Sequence, residues 1–197
     1  SSVLTLTVSS STTAGTYTVT VTGAGGGDTN TTAVSLTVTS SSANLVQNPG
    51  FETGSFADWT AAGPILPTVS TAVVYAGTYS ALLGQTSKPE VDGNSSIYQT
   101  ISIPSTAASA TLTFWYYAGT NDTISYAYQE ALIENSSGTV LATPLKVASN
   151  TKKWTQVTYS LNSYIGETVR LYFAVHGNGY ASDYVYMYLD NVSVTVH

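Results

Sequence analysis

Leu112-Thr113-Phe114-Trp115-Tyr116-Tyr117 is the stretch on which the fold class turns. In an extended chain successive side chains point to opposite faces, so Leu112, Phe114 and Tyr116 share one face while Trp115 and Tyr117 share the other. Arg170-Leu171-Tyr172-Phe173-Ala174-Val175-His176 repeats the arrangement, with Leu171, Phe173 and Val175 apolar on one side and Arg170, Tyr172 and His176 on the other. Both segments read as strands with one buried face.

Outward from these two, strand-like segments recur near 45–48, 69–75, 79–84, 97–103, 126–134, 139–147, 154–160 and 184–196. Breakers separate them, among them Asn48-Pro49-Gly50, Gly63-Pro64, Asp92-Gly93 and Gly177-Asn178-Gly179. No stretch sustains a helical period. Many short strands at this spacing predict an all-β jelly-roll β-sandwich over residues 44–197. Ser40 to Ala43 reads as a linker of small polar residues.

Residues 1–39 also alternate with period two, and three strands are expected there around the glycine-rich turn from Gly23 to Asn30. Ala14-Gly15-Thr16-Tyr17-Thr18-Val19-Thr20-Val21-Thr22-Gly23 resembles the closing strands of bacterial immunoglobulin-like repeats. A complete sandwich of that kind needs about seven strands, so this segment reads as a partial one, with Ser1 a cut end.

Composition removes several functional classes. The chain has 197 residues, only 8% charged, with five Lys and Arg and a formal net charge of −6. Too few cations are present to track a phosphate backbone, so nucleic acid is excluded as a partner. No apolar run reaches the ~18 residues of a membrane span. The absence of cysteine removes disulfides, thiolate zinc sites and cysteine nucleophiles. Roughly three residues in ten are Ser or Thr, and a surface polar through hydroxyls fits strands and an exported, extracellular module.

Catalysis finds no assembled site. The chain holds two histidines, no G-x-S-x-G elbow appears, and zinc would lack a ligand set. Glu130 and Glu134 share a strand face about 13 Å apart by strand rise, too far for either mode of glycoside hydrolysis. The reading is non-enzymatic.

Asn44-Leu45-Val46-Gln47-Asn48-Pro49-Gly50-Phe51-Glu52, followed by Trp59, resembles the first strand of the jelly-roll carbohydrate-binding modules of families 4, 9 and 22. Ala76-Gly77-Thr78-Tyr79-Ser80-Ala81-Leu82 resembles their second-strand phrase, and Tyr188-Leu189-Asp190-Asn191-Val192-Ser193-Val194 their closing strand. The tail from Val175-His176-Gly177 onward is also similar to the end of the MAM adhesion domain, another jelly roll. The resemblance implies a calcium-stabilised, non-catalytic carbohydrate-binding accessory module of a secreted bacterial hydrolase, with a catalytic domain upstream. The alternatives are a protein-interaction module of MAM type and a purely architectural tail of a secreted peptidase.

A jelly roll brings its first and last strands side by side, and two carboxylates placed together repel unless a cation joins them. The resemblance implies a structural calcium ion held by the side chains of Glu52 and Asp190 with the carbonyls of Gly50 and Tyr79 (or Thr78). For the ligand, Trp115, Tyr117, Arg170, Tyr172 and His176 are expected on one outer sheet face, joined by Tyr126, Tyr128, Gln129 and Glu130 from a neighbouring segment. Aromatic rings stack on sugar C–H faces while charged and amide groups bond the hydroxyls, so a polysaccharide suits such a surface. Trp59 is expected to plug one end of the barrel and Trp154 to be structural. The loop from Gly177 to Asp183 is expected to be a solvated turn, or, with Asp122 and Glu130, a second cation site or a rim of the binding surface.

Overall fold

The computed structural model describes residues 3–9, 12–13, 15–38 and 43–197, which form two compact units divided between residues 42 and 43. In the first unit, β1 (Gly15–Gly25) and β2 (Asp28–Val38) make an antiparallel hairpin in register from Gly15 opposite Val38 to Gly25 opposite Asp28. Gly26 and Gly27, both at positive φ, form its two-residue turn, whose twist matches the strands. The expected third strand is corrected: residues 3–9 carry no strand, and the described sheet has two strands. No described residue of the hairpin is buried. Ser40 to Ser42 of the expected linker lie outside the described residues, while Ala43 already belongs to a strand.

The second unit is a β-sandwich of the jelly-roll class. Its strands are β3 (Ala43–Asn44), β4 (Thr60–Ala62), β5 (Thr68–Ser70), β6 (Ser80–Gln85), β7 (Gly93–Ser102), β8 (Ala110–Thr120), β9 (Tyr128–Glu134), β10 (Val140–Val147), β11 (Thr155–Ser160), β12 (Thr168–Gly177) and β13 (Val185–Val196). One sheet has the order β10-β9-β12-β7-β4; the other has β11-β8-β13-β6-β5, with β3 pairing β13. The first and last strands of this unit therefore meet, with Thr195 opposite Asn44 and Val196 opposite Ala43.

Alternation decides what lies between the sheets. Ala110, Leu112, Phe114, Tyr116 and Ala118 of β8 face Val169, Leu171, Phe173 and Val175 of β12 across a core in which all nine are buried. Phe114 and Phe173 meet edge to face, 5.0 Å between centroids. Trp59, 6% exposed, stands in the core and continues the aromatic chain from Phe173 (6.1 Å) to Phe51 (5.5 Å). Its indole N–H donates to the carbonyl of Asn48, which satisfies the one polar atom that burial would otherwise orphan.

Two expected strands are shorter than their apolar runs. The 45–48 segment continues the pairing with β13 only through Leu45 N–H, which donates to the Val194 carbonyl; Val46 N–H donates to the Asn44 side chain and Gln47 N–H to the Gln99 side chain. In 69–75 only Thr68–Ser70 pairs, because the amides of Tyr75 and Ala76 turn toward Asp190.

Candidate functional site

Because β8 and β12 belong to opposite sheets, the expected shared face divides in two. Both apolar sides point to the core, as read, but from opposite directions. Trp115 and Tyr117 consequently lie on the outer face of the six-stranded sheet, away from Arg170, Tyr172 and His176 on the five-stranded one. On the six-stranded face Trp115 is stacked by Tyr75 at 4.0 Å and 16°, while Tyr117 meets Trp154 and Tyr188 edge-on. These rings pack mainly on one another.

The five-stranded sheet carries the other group. Register places Asn94, His176 and Tyr128 in one row across β7, β12 and β9. Ala62, Ser96, Ala174, Glu130 and Lys146 form the next row, then Thr60, Tyr98, Tyr172 and Leu132, then Thr100, Arg170 and Glu134. Small side chains thus separate two rows of rings, which overhang them: Ala174 and Ser96 are buried although they face outward.

The polar groups in these rows are tied together. His176 Nδ1 lies 2.7 Å from Asn94 Oδ1, and its ring stacks on Tyr128 at 4.9 Å. Lys146 sits 3.7 Å above the Tyr128 ring and 3.7 Å from Glu130 Oε2. Arg170 lies 3.9 Å over the Tyr98 ring, with Nη2 3.1 Å from Glu134 Oε2. That ion pair is close but poorly aligned: neither Glu134 Oε2 nor Arg170 Nε makes a hydrogen bond of good geometry.

Burial raises the carboxyl of Glu130 above its ordinary range, with Lys146 and His176 drawing it partly back. Burial also raises Glu134, which Arg170 lowers and Glu130 raises further. A carboxyl raised in the folded state binds more protons there than in the unfolded chain, so stability increases as pH falls through the raised range toward ~4.3. Asp190 and Glu90 shift the same way. Thermal melts in chelator should therefore show a melting temperature that climbs from neutral pH toward the ordinary carboxylate range. A steady fall over that interval would contradict the assignment.

Of the remaining expected ligand residues, Tyr126 is not on the sheet. It is 57% exposed in the loop before β9 and lines a pocket of about 350 Å³ with Asp122, Asn178, Tyr180 and Asp183. Gln129 faces the core, where its side chain bonds Ser149 and the carbonyls of Gly119 and Tyr186. Glu130 faces Lys146 on the sheet, so it does not join the loop of Gly177 to Asp183, whereas Asp122 does. Asn94, Tyr98, Glu134 and Lys146 share this face, although the sequence reading did not place them in the ligand set. The signal was present for the first two: Asn94-Ser95-Ser96-Ile97-Tyr98-Gln99-Thr100-Ile101 alternates and puts both outward.

Gly50, Glu52, Tyr79 and Asp190 do come together. Asp190, fully buried, accepts the amides of Tyr75 (2.9 Å) and Ala76 (3.1 Å) on Oδ2 and that of Asn191 on Oδ1. Glu52 accepts the amides of Thr78 and Tyr79 at 3.0–3.1 Å. The Gly50 Cα side abuts both acids, since a methyl added there would lie 3.4 Å from Asp190 Oδ1 and 3.6 Å from Glu52 Cγ. At Gly77, φ +76°, a methyl would fall 2.3 Å from Glu52 Oε1, so only glycine lets the loop close on that carboxylate. Burial raises the Asp190 carboxyl, the three amides lower it, and Glu52 raises it. Thr78 and Tyr79 meet Glu52 through their amides. Among the described residues no three acidic or histidine side chains converge on one point, and no helix is long and apolar enough to cross a membrane.

No known family model matches the chain, and no curated protein is similar to it in sequence. Solved structures do share the fold. A CBM61 module, TmCBM61, solved with β-1,4-galactotriose, has TM-score 0.56 at 18% identity, covering 79% of this chain and 99% of that one. The K3 adhesin domain of Lys-gingipain from Porphyromonas gingivalis has TM-score 0.56 at 18% identity over 78% and 99%. The CBM22-1 xylan-binding domain of Paenibacillus barcinonensis Xyn10C has TM-score 0.50 at 17% identity over 81% and 97%. At these identities the likeness is one of architecture: the second unit shares a β-sandwich fold with these carbohydrate-binding and adhesin domains.

Proposed function

We propose that the chain is a non-catalytic carbohydrate-binding module that holds a polysaccharide against the outer face of its five-stranded sheet. The observation that carries this reading is the interleaving there of Tyr98 and Tyr172 with Arg170, His176, Asn94 and Glu130. Rings offer stacking area to the C–H faces of a sugar, and the charged and amide groups, already fixed by one another, offer bonds to its hydroxyls at low entropic cost. The likeness to modules solved with β-1,4-galactotriose or described as xylan-binding supports the ligand class. An accessory place beside a catalytic domain in a secreted hydrolase is part of the same proposal.

The test is affinity electrophoresis and calorimetry on soluble galactans and xylans. Tyr172→Ala should weaken binding about tenfold, equivalent to ~1.4 kcal/mol, with unchanged thermal stability. Trp115→Ala, on the opposite sheet, should bind as the parent does. Loss in Trp115→Ala but not in Tyr172→Ala would move the site to the other face; no retention on any glycan would end the reading. One observation favours adhesion instead, the exposed Tyr126 and Tyr180 at the loop end of a fold shared with an adhesin domain. That reading requires a protein ligand whose binding Tyr180→Ala abolishes.

The Glu52–Asp190 junction fits a hard cation chemically: two carboxylates of like charge lie close, each with lone pairs beyond those the amides use. Glu52 and Asp190 would hold calcium there, and its charge would tie the opening loop to the last strand. At a calcium concentration 100-fold above Kd the gain is ~2.7 kcal/mol, or roughly 5–10 °C in melting temperature. Calcium should raise the melting temperature and chelator reverse it, and Asp190→Asn should lose the response. An identical melting curve with calcium and with chelator would refute the staple.

A further inference from the structure

Another buried carboxylate has neighbours that also carry unpartnered oxygens. Glu90, 5% exposed, sits in the connection between β6 and β7. Its Oε1 is held by the amides of Asn178 and Gly179 at the end of β12. Its Oε2 is buried and has no partner. Gln85 Oε1, at the end of β6, and Ser95 Oγ, on the inward side of β7, are likewise buried and unpartnered. All three residues line one cavity of about 10 Å³ at the end of the core, with Gly84, Gly177 and Val185 beside them. That volume holds about one water-sized sphere.

Three residues that line one small void each carry a buried, unpartnered oxygen, and such oxygens call for an occupant, because a buried acceptor without a partner costs ~1–3 kcal/mol and a buried charge costs more. A water molecule would supply hydrogen bonds but no countercharge. Among the described residues no basic group acts on Glu90; the charges that do are those of Asp122 and Asp183, both negative, and burial with these raises its carboxyl. A carboxylate in that setting needs a proton or a cation. The donors available are one carboxylate, one amide carbonyl and one hydroxyl, all oxygen, which is the ligand set of a hard cation completed by main-chain carbonyls or water.

We propose that Glu90, Gln85 and Ser95 form a cation site, suited to calcium, that fastens the 177–179 loop to the end of the sandwich. The site is separate from the Glu52–Asp190 junction and does not depend on that junction binding metal. Ordering the loop would also fix Asn178, Tyr180 and Asp183 at the exposed pocket they share with Tyr126.

The test is calcium calorimetry with melting curves on the chelator-stripped protein and three variants. Glu90→Gln should lose one equivalent of calcium, and Glu52→Gln should keep that equivalent, which separates this site from the junction. The amide introduced by Glu90→Gln can donate to Gln85 Oε1, so this variant is expected to fold and, without calcium, to melt no lower than the parent. Should it fail to fold, Ser95→Ala leaves the charge in place and is expected to weaken the same equivalent about tenfold. Unchanged calcium binding in Glu90→Gln, or in Ser95→Ala where the first does not fold, overturns the proposal. So does a parent protein whose Glu52→Gln variant binds no calcium while an infrared carboxylic-acid band, absent in Glu90→Gln, shows Glu90 protonated.

Discussion

Phe173→Ala should lower the unfolding free energy of the sandwich by about 4 kcal/mol, within the 3–5 kcal/mol range of buried aromatic truncations. Phe173 is 1% exposed and joins the two sheets, edge-to-face with Phe114 on β8 and against Trp59 on the opening loop. Its own strand is paired on both sides, with β7 and β9, so the backbone cannot collapse into the space left behind. Lost transfer energy and an unrelaxed cavity therefore add. For a unit of this size the cost corresponds to roughly 8–16 °C in melting temperature. Phe173→Leu fills most of the volume and should cost less than half as much. Urea titration checks both: the midpoint should move while the slope stays constant, showing that stability and not the extent of unfolding changed. A shift under ~3 °C for Phe173→Ala would mean that the Phe114–Phe173–Trp59 chain does not hold the sheets together.

The same contact explains what can be read from sequence and what cannot. Alternation in 112–117 and 170–176 fixes which side chains face inward, and every one of those assignments agrees with the burial of β8 and β12. It does not fix which sheet a strand joins. That depends on pairings of high sequence separation, β8 with β13 and β12 with β7, for which local pattern carries no signal. Hence Trp115 and Tyr172 both point outward, as alternation requires, yet from opposite sheets. Gln129 departs from expectation for a different reason. Polarity suggests the surface, but its amide satisfies main-chain groups inside the sandwich, a role polarity cannot distinguish from exposure. The approach of Gly50 and Glu52 to Asp190 is legible because their phrases sit near the two ends of the sandwich unit, which this fold joins through β3 and β13; Tyr79 comes from the loop before β6 and meets Glu52 through its amide. The shared cavity of Gln85, Glu90 and Ser95 is not legible, since nothing in their spacing shows that the end of β6, the following connection and β7 enclose a void.

Arg170→Ala should cost about 2–3 kcal/mol and become less costly in acid. Truncation removes the cation beside Glu134, whose side chain is 8% exposed, and uncovers the Tyr98 ring. Breaking a fully sequestered pair costs ~3–5 kcal/mol, but the Arg170 side chain is 20% exposed, so solvent screens part of the loss. Glu134 then lacks the one positive group that lowers its carboxyl, while Glu130 on the same face still raises it. Protonation relieves the stranded charge, and the gap from the parent should narrow as pH falls from neutral toward ~4.3. Arg170→Met combined with Glu134→Leu removes both charges and keeps apolar bulk, so most of the lost stability should return. That double variant separates structure from function. If the pair serves only the fold, the restored protein binds polysaccharide as the parent does. If the outer face of the five-stranded sheet is the binding surface, the double variant melts near the parent and still loses glycan, because a stable apolar patch offers no partner to sugar hydroxyls. Parent-like glycan affinity in it would remove Arg170 from the proposed site and leave the rings alone to account for binding.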